Sequence, residues 1–124
     1  MTGASRGVGR SPADRSVRAT GPARHERPVI DEAALVAARA GDRMLAEARL
    51  RGATRWIAYL EPLPDALRDG PLGDLRRVAQ RARAAYGPKD SVRDVLPANL
   101  TEPFLEAIDR LLKELARRET GAAG

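Results

Sequence analysis

An all-α domain is what this chain of 124 residues predicts: a small three- or four-helix bundle behind a disordered basic N-terminal tail. Three observations carry the prediction. First, on a helical wheel of about 100° per residue, Phe104, Leu105, Ile108, Leu111, Leu112 and Leu115 share an arc of roughly 120°, and every charge from Glu106 to Arg118 lies outside it. Second, the apolar content is dominated by Ala and Leu, which favour helix, while β-branched and aromatic residues, which favour strands, are scarce. Third, Leu72–Tyr86 divides on the wheel into an apolar and an arginine-rich side.

Residues 1–28 are Gly, Ser, Pro, Ala and Arg with almost nothing to bury, so they read as a disordered Arg/Gly/Pro-rich tail. Six arginines against Asp14 and Glu26 give this tail a charge of +4, whereas residues 29–124 hold 16 basic and 15 acidic residues and are nearly neutral. Positive charge is therefore concentrated in the tail, where it could touch nucleic acid or an acidic partner. Just two of the 22 basic residues are lysine, Lys89 and Lys113. That bias, beside abundant Ala, Gly and Pro, suggests a GC-rich bacterial genome.

The helical domain is expected over 29–120, with 121–124 frayed. Pro28 marks its boundary and Asp31 is a plausible N-cap. A first helix is expected over 31–51, extending to 61 if Gly52 and Thr54 only bend it. One of its faces carries small residues (Ala34, Ala37, Ala38, Gly41, Ala48, Gly52) with Met44 and Leu45, which lets another helix approach closely. Leu35, Val36 and Leu50 fall outside that face, so a second contact or an oligomer is in prospect. An unbroken helix to Glu61 would span about 45 Å and overhang a small monomer. Trp56, Tyr59 and Leu60 cluster at i, i+3, i+4, as core or as an aromatic patch for a partner.

Pro62 and Pro64 should stop the helix and impose an extended connection, followed by a turn at 65–69. The next helix spans 72–86. Leu72, Leu75, Val78, Ala79, Ala82, Ala85 and Tyr86 form its apolar arc, and Arg76, Arg77, Arg81 and Arg83 its outer side. Gly87-Pro88 should close it. Asp90 or Ser91 then caps a short helix at 91–96, and Thr101 caps the last one, 102–118, with Pro103 in its first turn. The stretch from Val78 to Leu96 faintly resembles a helix-turn-helix, with a long turn and a short second helix.

Function is bounded more by what is missing from the sequence. With no cysteine, disulfides, thiolate metal sites and thiol catalysis are ruled out. The one histidine, His25, lies in the tail. Acidic residues are dispersed, and Asp65 and Asp69 beside Arg68 read as a solvated loop. Ser91 and Thr101 read as caps, so no nucleophile–base pair emerges. The glycines from Gly3 to Gly9 follow no strand and make no phosphate loop. No catalytic residue, cofactor or metal is assigned. There is no apolar run of membrane-spanning length and no secretory h-region, so a cytoplasmic protein is expected.

Two functional expectations remain. The first is a non-enzymatic interaction module, binding a protein partner or itself, with Trp56 and Tyr59 as the candidate patch. The second is a nucleic-acid-binding accessory protein using Arg76, Arg77, Arg81, Arg83, Lys89 and Arg93 together with the tail.

Overall fold

The computed structural model describes residues 27–123, with side chains to residue 118. The expected tail and His25 lie outside the described residues. Among these, the chain forms α1 (Pro28–Arg51), α2 (Thr54–Leu60), α3 (Leu63–Asp69), α4 (Leu75–Ala84) and α5 (Ala98–Ala123), with single 3-10 turns at Leu72–Asp74 and Val92–Asp94. The all-α expectation holds, and no strand occurs among the described residues. None of these helices is long and apolar enough to cross a membrane.

The long helices α1 and α5 make the spine, α3 and α2 close over α1, and α4 packs on α5 and α3. The small-residue face of α1 allows this. Ala33, Ala34, Ala37, Ala38, Ala40, Gly41 and Ala48 are all buried. Gly41 brings the α1 backbone so close that a Cβ there would lie 3.1 Å from Phe104 Cε1. Phe104, Ile108, Leu111 and Leu115 of α5 are buried, while Leu112 is half-buried. From α4 come Leu75, Ala79 and Ala82, and Met44, Leu60, Leu67 and Val92 complete the centre.

Several helix ends differ from the sequence expectation, each for a local reason. α1 starts at Pro28 rather than after an Asp31 cap; proline suits the first helical position because its missing N–H has no intrahelical partner there. Asp31 sits in the first turn, its amide donating to the Arg27 carbonyl at 3.0 Å. α1 then ends, rather than bends, at Gly52. This residue adopts the left-handed conformation (φ 66°), with Gly52 N–H bonded to Arg49 O and Ala53 N–H to Ala48 O at 3.0 Å, a Schellman closure. The continuous rod to residue 61, with the overhang that would call for a second copy, does not form.

Pro62 and Pro64 do not impose an extended link. Pro62 is helical in φ and ψ, and Pro64 lies in the first turn of α3, so the prolines start a helix where an extended stretch and a turn at 65–69 were expected. Leu72–Tyr86 resolves into a 3-10 turn and then α4, which ends at Ala84, three residues before Gly87. The short helix expected at 91–96 is one 3-10 turn; Ser91 caps it as read, in a reciprocal box with Asp94. A turn of three residues is no recognition helix, so the resemblance to a helix-turn-helix ends there.

Thr101 is not a cap. α5 begins three residues earlier, where Leu100 and Thr101 both donate their amides to the Pro97 carbonyl at 3.0 Å. Thr101 is fully buried inside the helix. Pro103 consequently falls within α5, where it withholds one amide hydrogen bond from Asn99, an exposed residue whose carbonyl water can reach.

Candidate functional site

The Gly52 turn reverses the chain and lays α2 across one end of the bundle. Trp56 and Leu60 go inward from α2, and Tyr59 bridges to α4. Trp56 is 4% exposed, so most of its ring belongs to the core. Its ring meets Tyr59 edge-on, with centroids 5.4 Å apart and planes at 63°. Each ring carries a guanidinium on its face: Arg55 at 4.8 Å from Trp56, and Arg81 at 4.6 Å from Tyr59. The Tyr59 hydroxyl donates to the Arg81 carbonyl at 2.6 Å, which fastens α2 to α4. The expected aromatic pair is therefore assembled, with Trp56 mainly a core residue and Tyr59 half-buried.

Beside this pair lies an open depression. Trp56, Arg55 and Thr54 line one side, and Arg51, Asp94 and Val95 another. Arg51 is held there by two contacts: Nε donates to Glu47 at 2.7 Å and Nη1 to the Val95 carbonyl at 3.2 Å. Next to Arg51 in sequence, Leu50 is 82% exposed. Leu35 and Val36, which also fell outside the apolar face of α1, are half-buried by contrast.

The six cations of the alternative reading are distributed differently. Arg76, Arg77, Arg81 and Arg83 all belong to α4. Arg77 pairs with Asp74 at 3.0 Å and Arg83 with Asp109 of α5 at 3.1 Å, while Arg81 lies on Tyr59. Arg76 is half-buried, and Lys89 is exposed in the loop after α4. Arg93 turns instead to the start of α5. Its Nε and Nη2 fork onto the two Glu102 carboxylate oxygens, each at 2.8 Å, with the guanidinium 5.3 Å from the Tyr86 ring centre.

That last cluster is invisible in sequence, since Arg93 and Glu102 are brought together by the fold of the intervening loop. It ties the Val92–Asp94 turn to α5 and to Tyr86, two residues past the end of α4. The Arg93 fork holds the Glu102 carboxyl below its ordinary range, assisted by the Thr101 hydroxyl at 3.0 Å. Tyr86 donates to the Thr101 carbonyl at 2.5 Å, and burial, reinforced by the nearby Glu102 charge, drives its phenol well above the usual range. These groups are joined by structural bonds and present no activated nucleophile; the Ser91 hydroxyl accepts from the Arg93 amide at 3.1 Å.

Among the described residues, no group of three or more His, Cys, Asp or Glu side chains is placed to hold a metal ion. Comparison with protein-family models, with curated proteins and with solved structures finds no match.

Proposed function

We propose that this chain is a non-enzymatic helical interaction module, and that it meets a protein partner, or a second copy of itself, at the end of the bundle where α1 turns into α2. The observation that carries this reading is Leu50, 82% exposed and next in sequence to Arg51, which lines the depression together with Arg55 and Trp56. A lone exposed leucine is ordinary on any protein surface. This one lies in the last turn of α1, two residues before the left-handed Gly52, and the depression that begins at the adjacent Arg51 is lined by residue types that dominate binding hot spots, Trp and Arg. The cations of the nucleic-acid reading offer phosphates less, because Arg77, Arg83 and Arg93 each already face a carboxylate.

Photo-crosslinking tests the reading. A benzophenone amino acid replaces Leu50 in one version of the full-length protein and Gln80, exposed on α4, in another. Both are expressed and irradiated in cells of the source organism. A discrete product from position 50 and none from position 80 is the expected result, with the captured chain identified by mass spectrometry. Absence of product at position 50, or equal products at both positions, would sink the proposal. Duplex DNA binding that weakens steeply with salt and survives Leu50→Asp would move the function to the arginine surface.

A further inference from the structure

The opposite end of α1 holds a second groove, lined by Val29 and Ile30 at the start of α1 and by Glu114, Arg117 and Arg118 near the end of α5, with Arg27 at its edge. Val29 is 49% exposed there, and it and Leu50 are the exposed large hydrophobics among the described residues. We propose that this groove docks a carboxylate-bearing, apolar-flanked segment of a protein partner. The proposal is independent of Leu50, which sits at the far end of the same helix.

Charge decides the occupant. Around an apolar floor, the groove sets three guanidiniums against one carboxylate. The carboxylate, Glu114, reaches Arg117 at 3.4 Å, at the long end of hydrogen-bond distance. Arg118 is less satisfied still: its Nε is buried and has no hydrogen-bond partner among the described residues. A buried donor without an acceptor is costly, so turning Arg118 toward an arriving carboxylate sacrifices no hydrogen bond at Nε and gains a charge-assisted one. The chain's own ends fit poorly. Residues 1–26 carry five arginines against Asp14 and Glu26, and like charge opposes their settling among three more. α5 continues as helix to Ala123, which carries the chain about 8 Å past Arg118.

The test uses the full-length, nitrogen-15-labelled protein and two short capped peptides. One has a leucine flanked by glutamates, the other a leucine flanked by glutamines. At low salt the glutamate peptide should produce saturable amide shifts concentrated in residues 28–31 and 114–118, and the glutamine peptide should not. The Arg117→Gln/Arg118→Gln variant should bind at least roughly ten-fold more weakly, the scale of a lost charge-assisted hydrogen bond. Arg117→Lys/Arg118→Lys should retain much of the binding, and the dispersion of each variant's spectrum reports that it is folded. Equal shifts from both peptides, shifts mapping elsewhere, or none at millimolar peptide would overturn the proposal.

Discussion

Replacing Gly41 by alanine sets two opposing effects against each other at the closest approach of α1 and α5. In an open helix interior the change stabilises by about 0.8–1.0 kcal/mol, since glycine is the more costly residue to order. Here the new Cβ would lie 3.1 Å from Phe104 Cε1 and 3.4 Å from Pro64 Cγ. Carbon atoms prefer about 3.5–4.0 Å, so the ring must retreat by some tenths of an ångström. Phe104 is fully buried and has no solvent side to move toward. Overpacking of that kind costs about 1–3 kcal/mol and outweighs the helix gain. Gly41→Ala should therefore destabilise by about 1 kcal/mol, lowering Tm by roughly 4–8 °C for a domain of this size. Urea and thermal unfolding followed by far-UV circular dichroism measure it. Phe104→Leu should then cost less in the Gly41→Ala background than in the parent, by about the strain relieved, near 2 kcal/mol. A variant stabilised by the full helix-propensity gain, with additive effects in the double mutant, would refute the close approach of the two helices.

The same unfolding measurements test six other positions. Gly52→Ala meets no atom within 4 Å but must adopt φ +66°, and should cost about 1 kcal/mol; Gly73→Ala, equally open and without a positive φ, should be neutral or slightly stabilising. Equal effects would deny Gly52 its left-handed role. Tyr86→Phe removes the hydrogen bond to the Thr101 carbonyl and should cost about 1 kcal/mol, and an unchanged urea midpoint would count against that bond. The Glu102 carboxyl is lowered in the folded state from its ordinary 4.5, so its contribution is present above that value and fades as pH falls through the lowered one. The stability difference between the parent and Glu102→Gln should accordingly be largest near neutral pH and shrink in acid; a difference that grew in acid would reverse the sign of the argument. Leu111→Asp buries a carboxylate with no exposed side and should abolish cooperative unfolding, whereas Leu112→Asp, at a half-buried position, can turn to water and should leave the domain folded. A cooperative Leu111→Asp near the parent Tm would mean that α5 faces another way.

What could be read in advance was periodic. The apolar stripe of α5, the small face of α1 and the split wheel of α4 each repeat one chemical character every three or four residues, and the packing follows that repeat. What could not be read was punctuation that suits two neighbouring elements at once. Pro62 and Pro64 suit the end of one helix and the first turn of the next equally well, and only packing of Leu63 and Leu67 into the core selects the second. Thr101 carries a good local capping signal, yet the Pro97 carbonyl collects two amides and starts the helix earlier, which buries the threonine.

The same division applies to the candidate surfaces. The arginines of α4 were legible as a face, because a wheel needs no partner to draw. The engagement of Arg83 and Arg81 was not, because Asp109 comes from α5 and the ring under Arg81 comes from α2. A charge run in sequence therefore overstates what its surface can offer an anion, and the correction comes from residues distant in the chain. Leu50 shows the converse. Its position outside the apolar face of α1 could be seen from the sequence, as could that of Leu35 and Val36. The fold recovers those two as half-buried and leaves Leu50 bare, because α1 stops one residue later and α2 turns back across the end without covering it. An off-pattern hydrophobe is thus informative only after the fold has had the chance to bury it, which is why Leu50 rather than Leu35 or Val36 is the residue on which the interaction reading stands.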